Sequence, residues 1–290
     1  MDWFFLTLVS AITLAGADAL CKRSFQGASG LELLVLRFGM PGLLLLPLVI
    51  LHPLPPAPPA FWAWMALLVP MELGAMWCYM VAIRDCPLYL TLPYLAFTPV
   101  FNVFTGLLVL GESVSLEGFA GIMMVVAGAY LLNLDRFHAR SLRGWLAPLR
   151  GILHERGSRL MLLAAAIYSL TSVFSKAAMG HVTPESFGPF YFTVLGAAAL
   201  AIALLRAPVS LKRLAGRPGP LLMVGALMAI MVVTHFLAIA RVEVAYMIAV
   251  KRSSLLFGIL FGALLFGERH VTRHFLAGGL MVAGVALIVA

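Results

Sequence analysis

Charge is what this chain has least of: Asp, Glu, Lys and Arg make up 11% of its 290 residues, and only 12 of them are acidic. A soluble domain carries about 25% charged residues, so an ordinary water-exposed surface is excluded. Cysteine is scarce as well. Cys21, Cys78 and Cys86 are an odd set without metal or redox spacing, which excludes a disulfide framework and leaves packing as their role. No His-Glu-x-x-His, Gly-x-Ser-x-Gly or phosphate-loop pattern occurs, so the sequence offers no enzyme signature and calls for no cofactor. Asn-x-Ser/Thr acceptors are missing too, which fits a bacterial inner membrane.

What is present is apolar. Hydrophobic residues reach 62% and the mean hydropathy is +1.03. A helix rising 1.5 Å per residue needs about 20 apolar residues to cross about 30 Å of hydrocarbon. Ten stretches approach or meet that length: 3–20, 31–51, 61–83, 88–110, 116–134, 159–179, 187–205, 221–240, 244–266 and 275–289. The fold class expected is therefore an all-α membrane protein of ten transmembrane helices. Met1-Asp2 offers no basic n-region, so the first stretch is expected to stay in the chain as a span rather than act as a cleaved signal.

The chain is also a duplication. Segments 100–132 and 256–288 match at a constant offset of 156, with Phe101/Phe257, Gly106/Gly262, Gly111/Gly267, Glu112/Glu268, Phe119/Phe275, Ala127/Ala283 and Gly128/Gly284 identical. Lys22 and Lys176 end the first hydrophobic run of each half. The division expected is a first five-helix repeat at 1–134, a basic interfacial linker at 135–158 and a second repeat at 159–290. An odd number of spans per repeat sends the second copy into the membrane from the opposite side, so the repeats are inverted, and their shared interface is where substrates bind in secondary transporters.

Twenty Lys and Arg residues oppose those 12 acids, for a net charge of +8. Outside the spans nearly all of them, from Arg23 and Arg84 through Arg136–Arg159, Arg206–Arg217, Arg269 and Arg273, fall on the face opposite the termini, and only Arg241 shares the termini's face. By the positive-inside rule the basic loops are cytoplasmic and the termini outside. The basic balance is thus topological, and nucleic acid is not an expected partner. His270 and His274 are four apart near Glu268, but Arg269 and Arg273 beside them repel a cation, so no metal site is expected.

Ionisable groups within or at the ends of the spans point to function. A charge at the centre of a bilayer costs about 2.5–3.5 kcal/mol on insertion scales, so such groups face a wet or paired interior. Asp18 and Lys22 share one face of the first span and can pair. Adjacent Lys251 and Arg252 diverge by about 100° around the ninth, so one can bind substrate while the other pairs with Glu72 or Glu243. Arginine suits bidentate recognition of carboxylate or phosphate. Lys251, Arg252, Lys22, Arg37, Lys176, Tyr94, Asn102 and Tyr246 are the candidate substrate-binding residues, and Asp18, Glu72 and His235 the candidate coupling or ion-pair residues. The stripe Tyr94, Thr98, Asn102, Thr105 and the stripe Tyr168, Thr171, Ser172, Ser175, Lys176 read equally as cavity lining or as interhelical hydrogen-bonding glue. Glu112 and Glu268, each in a Gly-Glu turn before the last span of its half, are expected to cap helix N-termini.

The repeated Gly-Glu turn, the closing spans with Val126-Ala127-Gly128 and Val282-Ala283-Gly284, and the Lys22/Lys176 equivalence together resemble the drug/metabolite transporter superfamily, EamA type, over nearly the whole chain. The resemblance implies ten helices in an inverted five-plus-five arrangement, a central substrate cavity and alternating access without ATP. It also implies cytoplasmic termini, opposite to the charge count, so orientation stays open. Lys251-Arg252 is similar to the Lys-Arg pair on the ninth helix of triose-phosphate/phosphate translocators, where it holds the phosphate.

The expected function is secondary active transport of a small anionic or zwitterionic metabolite, such as an amino acid, an organic phosphate or phosphonate, or an organic acid. A proton or counter-substrate and membrane lipids are the other expected partners, the chain acting as a monomer or homodimer in the plasma membrane. Lipid-headgroup flipping and cationic drug export are the alternatives, and an integral-membrane enzyme is the least favoured.

Overall fold

The computed structural model describes residues 2–85, 92–132, 155–206, 208–266 and 275–290, and among them every regular element is helical. The expectations on Glu268, His270, His274, Cys86 and most of the 135–158 linker lie outside the described residues. Among the described residues, six helices are long and apolar enough to cross a membrane: Asp2–Ser24, Pro59–Ala82, Arg156–Met179, Pro184–Arg206, Pro218–Ile239 and Val244–Gly262. Three shorter apolar helices, Tyr94–Leu110, Leu116–Leu132 and Leu276–Val289, accompany them.

The elements are α1 (Asp2–Ser24), α2 (Gly30–Leu34), a π-helical turn (Val35–Gly39), α3 (Met40–Leu44), α4 (Leu46–Leu51), α5 (Pro59–Asp85), a 3₁₀ segment (Leu92–Phe97), α6 (Thr98–Leu110), α7 (Leu116–Leu132), α8 (Arg156–Met179), α9 (Pro184–Arg206), α10 (Pro208–Ala215), α11 (Pro218–Ile239), α12 (Val244–Lys251), α13 (Ser254–Phe266) and α14 (Phe275–Val289). They cluster into two compact units. The first holds Met1–Val69, Ala177–Arg241 and Leu256–Arg269; the second holds Pro70–Lys176, Val242–Leu255 and His270–Ala290. Each unit therefore takes segments from both halves of the sequence.

In the first unit the stretch expected as one span at 31–51 is broken into pieces, and proline is the reason. Pro41 has no N–H and its ring crowds the carbonyl four residues back, that of Arg37, so a regular α-ladder cannot pass. The backbone widens instead into the π turn, with Met40 N bonding Val35 O. Pro47 interrupts the helix again at Leu45. The broken stretch packs on α9 through glycine: a Cβ on Gly42 would lie 2.6 Å from Phe192 O, and one on Gly196 would lie 2.7 Å from Phe38 O. Thr193 Oγ1 donates to Gly42 O at 3.2 Å across the same contact. Helices α1 and α11 pack together, tied by Ser10 Oγ to Met231 O. Phe187, stacked on Tyr191 and edge-on to Phe236, forms the unit's aromatic core with Phe61.

The second unit is built on α7 against α14. A Cβ on Gly121 would meet Gly284 O at 2.7 Å, and one on Gly128 would meet Ala277 O at 2.6 Å. Rising numbers on one helix meet falling numbers on the other, so the two run antiparallel. At the repeat offset of 156, Gly121 corresponds to Ala277 and Gly128 to Gly284, so the two contacts exchange into one another. The duplicated closing helices are thus related by a local pseudo-two-fold axis. A Cβ added at Gly258 or Gly279 would meet nothing within 4 Å among the described residues, so neither glycine marks a close approach of this kind.

Candidate functional site

In the second unit, Gly111 ends α6 in the left-handed region at φ 69°, and the turn after it carries Glu112 across to α12. Glu112 Oε2 accepts from Val244 N at 2.8 Å and Oε1 accepts from Lys176 Nζ at 2.6 Å. Lys176 also donates to Val242 O at 2.6 Å. Glu112 does cap a helix N-terminus, but that of α12 rather than of the following α7. Ser115 serves α7 instead, its Oγ accepting from Gly118 N at 3.0 Å. The Tyr246 hydroxyl accepts from Ser115 N at 2.9 Å and lies over Gly118, where a Cβ would come 2.1 Å from it. Lys176 and Tyr246, both candidate substrate ligands, are thus engaged in clamping the start of α12.

These bonds fix the alignment of the unit's helices. Thr105 meets Ser169 at 3.0 Å, and seven residues on in both segments Glu112 meets Lys176, so α6 and α8 run parallel in one register. Glu112, just past the exit of α6, caps the entrance of α12, and the two helices pack side by side, so they run antiparallel. Asn102 lies eight residues before the end of α6 and Arg252 eight after the start of α12. At 1.5 Å per residue both sit about 12 Å from the clamp, at one depth.

At that depth α12 stops. Arg252 N bonds both Ile248 O and Ala249 O, Ser253 N bonds Val250 O, and Leu255 N bonds Arg252 O, a tightened turn before α13 begins. Asn102 is fully buried, and neither polar atom of its amide has a hydrogen-bond partner among the described residues. The same holds for Arg252 Nε and for Ser253 Oγ, which is 7% exposed. Glu72 on α5 has the Thr171 hydroxyl of α8 as a hydrogen-bond partner and lies in the field of the Lys251 ammonium. Burying an amide or hydroxyl without a partner costs about 1–3 kcal/mol in proteins, so these groups, two at the helix break and Asn102 on α6 at the same depth, are poised to receive a polar ligand. Broken helices with free polar groups are the usual construction of transporter binding sites.

The other candidates have different surroundings. Tyr94 is fully buried in a cluster with Ala82 and Met161. Thr105, Ser172 and Ser175 bond carbonyls one turn back on their own helices, Thr98 bonds Leu95 O in the 3₁₀ segment just before α6, and Tyr168 reaches Met76 Sδ, so most of both polar stripes is internal bonding. In the first unit Asp18 accepts from Arg37 Nη2 at 2.5 Å, an ion pair reached from the π turn, with Asp18 half exposed. His235 stands edge-on to Phe236 at 4.9 Å on α11. Lys22 is exposed at the end of α1. Among the described residues no group of three His, Cys, Asp or Glu side chains is placed to hold a metal.

Sequence reasoning missed Ser253 and the break it occupies. The signal was Lys251-Arg252-Ser253-Ser254, where two serines, which bond their own backbone in preference to a helix ladder, follow two cations. It also missed the buried Glu32, whose capping box with Ser29 was readable in the Ser-x-x-Glu spacing.

No curated protein sequence matches the chain. Solved structures share its fold: one, described only as "Crystal structure of protein", superposes with a TM-score of 0.74 at 18% identity, over 97% of this chain and 95% of that one. The EamA-like transporter family matches twice, over residues 1–134 and again over 156–290, which together span nearly the whole sequence. A duplicated, all-helical, multi-pass membrane chain matched in both halves belongs to the EamA-like transporter family of the drug/metabolite transporter superfamily, a family of transporters and not of enzymes.

Proposed function

We propose that this transporter moves a small anionic or zwitterionic metabolite by alternating access, and that the anion is held at the α12 break. The observation that carries the reading is a set of groups at one depth of the second unit that have no hydrogen-bond partner among the described residues: the Asn102 amide, Arg252 Nε and Ser253 Oγ. Arg252 supplies a fixed guanidinium fork suited to carboxylate or phosphate. Asn102 and Ser253 supply directional donors and acceptors. Lys251 divides its charge between the substrate and Glu72, so a proton on Glu72 would leave the ammonium to the anion. Binding of one proton on Glu72 together with one substrate anion, that is proton-coupled co-transport, is the coupling this arrangement favours. Amino acids, organic phosphates or phosphonates and organic acids all meet the charge requirement.

The two repeats, 1–134 and 159–290, joined through 135–158, supply the inverted halves that alternating access needs. The reading places the chain in the plasma membrane, with its basic loops toward the anionic cytoplasmic leaflet.

Uptake into proteoliposomes tests it. Screening phosphates, phosphonates, amino acids, organic acids and cationic drugs by thermal shift should give stabilisation by one anionic or zwitterionic class. Arg252→Gln should abolish that response and lower uptake at least tenfold, with Lys251→Gln nearly as severe. Stabilisation by cations alone, unchanged in Arg252→Gln, sinks the proposal and favours drug export.

A further inference from the structure

In the first unit, the end of α1, the entrance to α2 and the end of α10 enclose a pocket of about 290 Å³. Its polar lining is Arg23, Ser24, Gln26, Glu32, Arg213 and Arg217, so three guanidinium groups face one carboxylate. That carboxylate is already committed. Glu32 is 3% exposed at its side chain, takes Arg213 Nη1 at 3.4 Å and closes a capping box by accepting from Ser29 N at 2.6 Å. Backbone carbonyls hold the arginines as well: Arg213, besides its pair with Glu32, donates Nη2 to Gln26 O at 3.1 Å, and Arg217 Nη1 donates to Ser24 O. These bonds fix two guanidinium planes, and the single lining carboxylate offsets only one of the three positive charges in the pocket lining. Phe25 and Leu214 are buried at the same place, so the pocket has an apolar floor.

We propose that this pocket binds a phosphate ester. Guanidinium forks match phosphate oxygens two at a time, and basic pockets between spans at the cytoplasmic face are where anionic headgroups dock. The volume lies just below the range of sites for drug-sized ligands, which fits a headgroup or a small organic phosphate rather than a larger molecule. Such a ligand would tie α1, α2 and α10 together at the edge of the membrane. The same chemistry is presented by the glycerol phosphate of an anionic lipid and by a soluble phosphate ester.

The test uses full-length protein in detergent, carrying Arg252→Gln so that the proposed transport site does not contribute. Phosphatidylglycerol, phosphatidylcholine and sn-glycerol 3-phosphate are titrated while the thermal midpoint is followed. Phosphatidylglycerol should raise the midpoint saturably and phosphatidylcholine should not. Adding Arg23→Gln/Arg217→Gln should weaken apparent affinity at least tenfold. Arg206→Gln/Lys212→Gln, which removes the same charge outside the pocket lining, should leave it within twofold. If the double pocket variant does not fold, Arg23→Lys/Arg217→Lys keeps the charge and loses the fork, and should still weaken binding at least threefold. A response to glycerol 3-phosphate without lipid assigns the pocket to soluble esters, and a response to phosphatidylglycerol alone assigns it to the bilayer. Equal weakening by the charge-matched control, or no saturable response to either ester, overturns the proposal.

Discussion

Asn102→Leu separates stability from transport. Asn102 is fully buried and, among the described residues, neither atom of its amide is bonded, so it stands as a desolvated amide with nothing in return. Leucine has the same number of side-chain heavy atoms and the same branch point. Exchange removes a penalty of about 1–3 kcal/mol for the unmet amide and adds apolar packing against α12. The gain expected is about 1–3 kcal/mol. With about 2–4 °C per kcal/mol for a chain of this order of size, the thermal midpoint should rise by roughly 3–10 °C. Substrate uptake into proteoliposomes should fall at least tenfold, and stabilisation of the variant by the substrate should vanish. Midpoint by intrinsic fluorescence and uptake by radiolabel are measured on the same preparation. A drop in midpoint of more than a few degrees would mean that the amide has a structural partner, and unchanged uptake would remove Asn102 from the site; either result refutes the reasoning.

Glu112→Ala should lower the thermal midpoint substantially, because it strands Lys176 and uncaps Val244 N; breaking a largely buried pair costs about 3–5 kcal/mol at the upper end, and the partial exposure of Lys176 lowers that to about 2–4. A double-mutant cycle with Lys176→Ala should return a coupling above about 1 kcal/mol, and a value near zero would show the clamp to be incidental. Asp18→Asn should change the midpoint by less than about 1 kcal/mol equivalent, since the Asp18–Arg37 pair is well exposed, and a larger loss in melting experiments would contradict that assignment. Gly121→Val and Gly128→Val should each destabilise by at least about 1–3 kcal/mol through collision with the backbone of α14, whereas Gly279→Ala, with open space at its Cβ, should melt like the parent protein.

Much of the molecule was legible in its sequence. Apolar run lengths gave the helical class and most of the long helices, though not the break of the 31–51 stretch, because a backbone in hydrocarbon must satisfy its hydrogen bonds within its own segment. The repeat of Gly111-Glu112 and Gly128 at a fixed offset disclosed the duplication, since identical packing demands recur only when a unit is copied. Lys251-Arg252 stood out because buried charge is costly wherever it occurs. Composition and periodicity alone thus determined a duplicated, helical membrane chain with a pair of adjacent cations on its ninth hydrophobic stretch.

Which polar groups are already spoken for was decided only by tertiary structure. Lys176 and Tyr246 look like cavity residues in the sequence, yet Glu112 and Ser115, more than sixty and one hundred positions away, take their polar atoms. Asn102 looks no different from Thr98 or Thr105, but a hydroxyl on a helix can bond the carbonyl one turn back, and those two do. The Asn102 amide is left without any such bond. Arg37 reaches Asp18 from a π turn that Pro41 forces, and the arginines of the α10 loop meet the α1–α2 turn across nearly two hundred residues. Hydrogen bonds and charge pairs are satisfied by distance in space, and sequence separation carries no record of it.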